Sequence, residues 1–248
     1  MLYTIIFLYG LVIGSFLNVC IHRIPAGESL VKPPSHCPFC DYRLRVLDLI
    51  PVLSFLFLRG RCRNCKKEIS WRYPLIELLT GGLFMSIFFF EGFTLQSVFY
   101  CLLISALIAL SFIDFEHYII PDGINIFIFL LGIGFYIVAR PFSFSVLLIG
   151  TLGTSLFFVT LMLIFKGKMG GGDLKLAIVL SIWLGWPDIA LAVFLSSLLG
   201  LIFALVLKII KGFSLATPIP FGPFLAMGAY ITILWGQVIW TWYLNILL

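Results

Sequence analysis

The sequence contains few charged residues. Only 11% of its 248 residues are Asp, Glu, Lys or Arg, and the acidic ones number 11. Hydrophobic residues make up 62% of the chain, and its mean hydropathy is +1.15. A soluble core of this size cannot bury so much apolar surface. The composition therefore excludes an ordinary soluble domain and predicts an all-α polytopic membrane protein.

The sequence also lacks an internal repeat, a low-complexity tract and a Gly-x-Gly-x-x-Gly nucleotide-binding fingerprint. No basic residues precede the first apolar run, as they would in a signal peptide, whereas His22 and Arg23 follow it. This order of residues predicts an uncleaved first helix with its N-terminus outside.

The apolar runs give the number of helices, because a bilayer core of about 30 Å requires about 20 apolar residues per helix. Seven runs fit this requirement: residues 2–20, 73–90, 96–113, 124–139, 144–165, 189–207 and a last one within 224–247. An eighth run, residues 174–186, is shorter and either spans the membrane or forms a re-entrant segment.

The basic residues distinguish between these two possibilities. If residues 174–186 span the membrane, fifteen of the sixteen Lys and Arg fall on one side, and only Arg140 falls on the other. Lys and Arg gather in cytoplasmic loops, so this distribution favours about eight transmembrane helices with both termini outside. The net charge of +5 follows from this topology, and we expect no nucleic-acid partner.

The loop after the first helix contains two Cys-x-x-Cys pairs separated by 21 residues, Cys37 with Cys40 and Cys62 with Cys65. This spacing is typical of a four-thiolate structural zinc site. Two disulfides or a redox dithiol are the alternatives, but ten basic residues place the loop in the reducing cytosol. Cys20 and Cys101 lie in apolar runs, where we expect them to be small packing residues.

A group of acidic residues stands out in a chain with so few: Asp114, Glu116 and Asp122 in "IDFEHYIIPD", and Asp173 in "GGGDLK". Two helices separate Asp114 from Asp173, so both are predicted at the same membrane boundary. Asp122 has the position of a helix N-cap, and Asp173 suits the start of a helix. Asp114 lies at the predicted end of a helix, where a negative charge is unfavourable.

The three glycines before Asp173 favour a catalytic interpretation of the carboxylates. A cap needs one small residue at most, whereas Gly170, Gly171 and Gly172 together let an extended backbone approach closely. Two carboxylates that share a proton can act as base and acid on a water molecule and a peptide carbonyl. The sequence therefore predicts an aspartic protease pair.

These motifs resemble the type IV prepilin peptidases, intramembrane aspartic proteases with a Gly-x-Gly-Asp motif. "GSFLNVCIHRIP", the paired cysteines and "RYPLIE" are similar to other signatures of the bifunctional bacterial members. The resemblance implies that Asp114 and Asp173 are the catalytic residues. It also implies cytosolic cleavage of the basic leader of type IV prepilins or pseudopilins, followed by methylation of the new N-terminus with S-adenosylmethionine.

The resemblance implies that the protein lies in the lipid of a bacterial cytoplasmic (inner) membrane. The active site and the zinc loop are expected to face the cytoplasm. The predicted domains are residues 1–20, a transmembrane helix; 21–72, the zinc-binding loop; and 73–248, the protease core. Supporting roles at the active site are expected for Gly170, Gly171, Gly172, Asp122, Lys175 and Glu77.

Two of these supporting residues have equally plain alternatives. Glu77 is an ionisable residue just inside a helix, which suggests function, but an interfacial ion pair with Arg72 would also explain it. Lys175 either orients Asp173 or the substrate, or extends to the membrane interface. The rival interpretation of the whole chain is a proton- or cation-coupled transporter, since intramembrane acids fit that class too.

Overall fold

The computed structural model describes residues 1–164, 170–211 and 219–247, without the side chains of residues 211 and 247. Phe165, the last residue of the predicted run 144–165, lies outside the described residues, as do two of the sixteen basic residues, Lys166 and Lys168. In the described ranges the chain forms nine α-helices and one short 3-10 helix, Val46–Leu49. The α-helices are α1 Leu2–Ala26, α2 Leu53–Phe57, α3 Arg72–Glu91, α4 Leu95–His117, α5 Asp122–Ala139, α6 Phe144–Ile164, α7 Gly171–Leu184, α8 Asp188–Lys211 and α9 Gly222–Leu247.

Seven of these helices are long and apolar enough to cross a membrane. They coincide with the seven apolar runs, so the prediction of a multi-pass α-helical membrane protein is confirmed. Helix α1 is longer than its predicted run and ends only at Ala26, where Gly27 with φ 68° forms a left-handed cap. The eighth run forms α7, which has 14 residues and a length of about 21 Å.

The chain divides into two compact units, Met1–Ala109 and Leu110–Leu248. In the first unit, α1 packs closely on α3 through glycines. A Cβ atom on Gly10 would lie 2.7 Å from Cα of Gly81, so only a residue without a side chain fits there. The Asn18 side chain also donates a hydrogen bond from α1 to the carbonyl of Tyr73 on α3, at 3.2 Å. Small residues and interhelical hydrogen bonds are the usual means of helix association in membranes.

In the second unit, α7 runs the same way as α5. Its first turn lies beside the α4–α5 turn, where a Cβ atom on Gly172 would be 2.9 Å from Cβ of Ile120. Its other end lies at the start of α6, because the Trp186 N–H donates to the Val146 carbonyl at 3.3 Å. Helix α7 thus runs from one end of its neighbours to the other, although with 14 residues it is not among the seven helices long enough to count as candidate spans.

Trp183 fixes α7 against α5. Its indole is 1% exposed, donates a hydrogen bond to the Ile128 carbonyl at 3.1 Å, and stacks on Phe135 at 5.0 Å. Gly132 leaves room for it, since a Cβ atom there would lie 2.7 Å from the indole nitrogen. This contact sets the position of α7 and therefore of its first turn, which carries Asp173.

The close contact between α1 and α3 gives a testable expectation. Gly10→Ala should force the two backbones apart and lower the stability of the first unit by about 1 to 3 kcal/mol. Thermal unfolding in detergent, followed by circular dichroism, measures the loss. Gly82→Ala is the matched control, because a Cβ atom on Gly82 meets nothing within 4 Å. Equal midpoints for the two variants would contradict this packing.

Candidate active site

Asp114 lies in the last turn of α4 and is 5% exposed. Its Oδ2 atom accepts a hydrogen bond from the backbone N–H of Gly222 at 3.0 Å. Gly222 is the first residue of α9, more than 100 positions later in the chain. The positive end of the α9 dipole therefore faces the Asp114 carboxylate, whose negative charge is unfavourable at the C-terminal end of α4.

Gly222 is a site residue that the sequence analysis missed. A Cβ atom on it would lie 2.7 Å from Oδ2 of Asp114 and 3.3 Å from the Ile120 side chain, so the position requires glycine. A local signal existed in "PFGP", residues 220–223, directly before the last apolar run. That pattern indicates a helix start but does not reveal which side chain the helix start faces.

Asp173 lies in the first turn of α7, as predicted, and is half-buried. The three preceding glycines have different surroundings. Gly170 lies beside the carboxylate, where a Cβ atom would be 3.1 Å from Asp173 Oδ2, and Gly172 packs on Ile120. Gly171 is exposed, and a Cβ atom there would meet nothing within 4 Å. Gly170 and Gly172 thus allow close packing around Asp173, and Gly171 leaves exposed backbone near the carboxylate.

The structure brings Asp114 and Asp173 together at one end of the second unit. Ile120 lies against both Gly222, which faces Asp114, and Gly172, which directly precedes Asp173. Two carboxylates that lie close together in a poorly solvated place can share one proton. Such a pair can accept a proton from water and donate one at the same time.

Asp122 and Lys175 differ from what the sequence suggested. The N-cap of α5 is Pro121, and Asp122 is the first helical residue without a side-chain cap, so the N-cap interpretation was wrong. Its Oδ1 accepts a hydrogen bond from Lys175 Nζ at 2.7 Å, and both side chains are more than half exposed. Lys175 therefore pairs with Asp122 and not with Asp173. An exposed pair of this kind contributes about 0 to 1 kcal/mol.

Glu77 lies in the first unit, in the second turn of α3, and is 6% exposed. Its Oε2 accepts the N–H of Val52 at 2.7 Å. Val52 has φ 59° and ψ −49°, and the following N–H of Leu53 donates to the Pro51 carbonyl, which together make a γ-turn of the rare, strained kind. Glu77 thus anchors a strained turn of the cysteine-containing loop to α3.

The four loop cysteines form one cluster, with their sulfur atoms all within 4.8 Å of one another. The Sγ atoms of Cys37 and Cys65 are 3.9 Å apart, and those of Cys40 and Cys62 are 4.0 Å apart. Disulfides require about 2.05 Å, whereas a tetrahedral zinc ion with Zn–S bonds of about 2.3 Å gives about 3.8 Å between sulfurs. The cluster therefore fits a metal ion, while Cys20 and Cys101 are buried within helices.

The backbone around the cluster favours the thiolate form that binds metal. A hydrogen bond from the backbone of Tyr42 lowers the pKa of Cys40 to about 7. The backbone of Cys65 similarly lowers the pKa of Cys62, whereas burial raises the pKa of Cys37 to about 11. Two of the four thiols, Cys40 and Cys62, are thus shifted towards the thiolate form, and Cys37 is shifted away from it.

We expect the purified, reduced protein to hold one tetrahedral metal ion per chain. Cys62→Ser should lower the bound metal to well below one equivalent, because three thiolates close the coordination shell less tightly than four. Elemental analysis measures this content. Cys101→Ala, which removes a thiol outside the cluster, is the control and should keep the metal. Full occupancy in Cys62→Ser would show that the cluster does not hold it.

Two known families match most of the chain. Residues 8–90 match the bacterial peptidase A24 N-terminal domain, and residues 101–205 match the type IV leader peptidase family. The first match contains the four cysteines and Glu77, and the second contains Asp114 and Asp173.

Individual proteins are similar over nearly the whole chain. A protein of Aeromonas hydrophila named prepilin leader peptidase/N-methyltransferase is 36% identical, covering 98% of this chain and 94% of its own. Proteins of the same name from Pseudomonas aeruginosa and Bacillus subtilis are 36% and 34% identical and cover 96% and 99% of this chain. No solved structure is significantly similar.

Proposed function

The chain belongs to the type IV leader peptidase family of bacteria, and from this we propose that it is a membrane-embedded aspartic endopeptidase in which Asp114 and Asp173 cleave the peptide bond. The observation that supports these two residues is their place at one end of the second unit, where the Gly222 N–H donates to Asp114 and Ile120 lies against both Gly222 and Gly172. The proposed substrates are prepilins, which the names of the relatives indicate, and pseudopilins with the same kind of basic leader.

In the proposed mechanism the pair shares one proton. The ionised carboxylate removes a proton from a water molecule, which attacks the scissile carbonyl carbon, while the protonated partner donates to the carbonyl oxygen. The proton gained from water then passes to the leaving amine as the C–N bond breaks, and one hydroxyl proton of the tetrahedral intermediate returns to the carboxylate that had donated to the carbonyl oxygen. Gly222 contributes by fixing the orientation of Asp114 through its N–H, so the carboxylate does not need to reorganise during the reaction.

The glycines provide access for the substrate. The exposed backbone at Gly171 lies two residues from Asp173 and has no neighbour where a side chain would be. An extended peptide can therefore lie against this backbone with its carbonyl near the carboxylates. This arrangement accounts for three consecutive glycines in positions where a helix cap alone would need one.

The transporter alternative has less support. A transporter places its acids near the midplane, often in duplicated halves, whereas Asp114 and Asp173 lie in the last and first turns of their helices. The matching families are peptidases, and the relatives carry peptidase names. Both findings favour the protease.

A second activity follows from the names of the relatives. We propose that the chain also methylates the new N-terminal amine, with S-adenosylmethionine supplying the methyl group, and we derive no step through this donor. The metal of the four-cysteine cluster is proposed to be zinc with a structural role, because four thiolates leave no open coordination position for water. The proposed location is the inner membrane, with the loop and the aspartates on the cytoplasmic side, as the basic residues favour.

The aspartate pair is tested with a peptide that carries a basic leader, Gly, then Phe and an apolar helix. Asp114→Asn and Asp173→Asn should each lower cleavage by about 10³-fold or more, because an amide can neither take a proton from water nor donate one as an acid does. The double variant should be hardly slower than either single one, since the two residues act as a unit. Mass spectrometry of the products measures cleavage and methyl addition together.

Asp122→Asn is the control for these variants. It removes an exposed carboxylate that pairs with Lys175 and should keep most of the activity. Loss of cleavage in Asp122→Asn with activity kept in Asp114→Asn would transfer the role of Asp114 to Asp122.

Gly222 provides a separate test of the geometry. Gly222→Ala places a methyl group against Oδ2 of Asp114, so we expect kcat/KM to fall by about tenfold to a hundredfold, or about 1.4 to 2.7 kcal/mol. Gly123→Ala, also in the first turn of a helix but with open space around it, should be close to wild type. Equal activity of the two variants would mean that the Gly222–Asp114 contact has no part in catalysis.

A further inference from the structure

The loop between α1 and α3 exposes many apolar side chains. Seven large ones are exposed in two short helices and the turn that joins them: Val46, Leu47, Leu49, Ile50, Leu53, Leu56 and Phe57. Phe57 is 84% exposed and Val46 is 82% exposed. Single exposed apolar residues are common, but seven within twelve positions form a continuous patch that marks an interaction surface. We call these seven residues the apolar face.

Helix α2 shows that this surface is organised. Leu53, Leu56 and Phe57 have i, i+3 and i+4 spacing, which puts them on one side of the helix. On the other side, Phe55 is 7% exposed and packs edge-on against Trp71, with ring centroids 4.8 Å apart. The apolar face therefore lies on the side of α2 that points away from this buried contact.

The apolar face has no exposed acid of its own. Asp48, the acid between its residues, is turned inward with its side chain 2% exposed and pairs with Arg63 at 2.7 Å. Burial acts to raise the pKa of Asp48, but the hydrogen bonds from Arg63 and from the Arg45 backbone outweigh it and hold the pKa below its usual value. The Asp48 charge is thus neutralised within the loop.

The rim of the apolar face is cationic. Arg59 and Arg61 are exposed and, together with Leu56, line a cavity of about 360 Å³. Glu68 also lines this cavity, so its three charged side chains leave an excess of one positive charge. A cationic hollow at the edge of an apolar surface fits a phosphodiester group joined to hydrocarbon chains.

The hydrogen bond to Glu77 gives the level of the apolar face relative to the membrane. Glu77 is the sixth residue of α3 and lies about 7.5 Å along the helix from its first residue, Arg72. Because Glu77 accepts the N–H of Val52, the turn that begins α2 is held at the second turn of a membrane-spanning helix. We place the headgroup boundary at the start of α3, where its apolar residues begin, which puts this turn where headgroups meet acyl chains.

We propose that residues 46–57 lie in the membrane interface, with the apolar face among the upper acyl-chain carbons and Arg59 and Arg61 on the phosphates of anionic phospholipids. An amphipathic segment with a basic rim is the usual form of such an interfacial element. The proposal depends on the membrane-spanning helices α1 and α3 and is independent of the catalytic role of the aspartates. It gives the loop a second attachment to the bilayer between its two helical ends.

Photo-cross-linking in lipid nanodiscs tests the position of the segment. The photoreactive amino acid p-benzoylphenylalanine replaces Phe57 in one sample and Leu47 in a second, in nanodiscs of phosphatidylcholine and phosphatidylglycerol. Replacement of the exposed Lys66, which directly follows Cys65 and lies outside the apolar face, is the control. We expect lipid adducts at positions 57 and 47 in severalfold higher yield than at 66, measured by mass spectrometry.

The arginines are tested in the same samples. Phosphatidylglycerol should be enriched severalfold among the adducts at position 57 relative to its share of the nanodisc, and Arg59→Ala with Arg61→Ala should remove this enrichment. Arg140→Ala, outside the loop, should leave it unchanged. Adducts at 57 and 47 no more frequent than at 66, or cross-links to other parts of the chain instead of lipid, would overturn the interfacial position. Adducts without phosphatidylglycerol enrichment would overturn the anionic partner.

Discussion

The second unit depends on how a buried carboxylate at the end of a membrane helix is stabilised. An unpaired charge in such a place costs several kcal/mol, and the end of a helix disfavours a negative charge further. Asp114 obtains its partner from the start of α9, where the Gly222 N–H points at it. Position 222 requires glycine, because a Cβ atom there would lie 2.7 Å from Asp114 Oδ2. The hydrogen bond joins the start of α9 to the carboxylate and orients it.

Further contacts hold α7 beside the Asp114–Gly222 hydrogen bond. Ile120, in the α4–α5 turn, lies against both Gly222 and Gly172, so the starts of α9 and α7 approach the same side chain. Trp183 then holds the far half of α7 on α5. Asp173 is therefore carried on a helix that is fixed at both ends, and the proposed catalytic pair requires such rigidity for its geometry.

The first unit has a similar requirement with a different solution. Glu77 is buried in α3, and its partner is the N–H of Val52, a β-branched residue held in a strained turn. Such a turn costs free energy on its own and persists only where its surroundings hold it. The metal site, the Glu77 hydrogen bond and the proposed contact with lipid would each restrict a loop that has little core of its own.

The sequence by itself determined the features that depend on local composition and periodicity. Apolar runs of membrane length predicted the helices, because the bilayer fixes how many apolar residues a helix needs. The paired cysteines predicted a cluster of four sulfurs that could hold a metal ion, because each pair lies in one tight turn. The meeting of Asp114 with Asp173 was predicted from the count of helices between them, which returns the chain to the same side. Helix α7 was ambiguous in the sequence, since 14 residues are short for a span.

Contacts between distant residues were decided by the tertiary structure. Nothing near Gly222 in the sequence identifies Asp114 as its partner, and the Asp122 side chain has a cap-like position but pairs with Lys175. Glu77 likewise accepts a hydrogen bond from the backbone N–H of Val52 in the loop, a partner that no pattern in the sequence predicts. Patterns along the chain specify which surfaces must be buried, whereas the partner of each polar group depends on which helix ends are brought to the same place by packing.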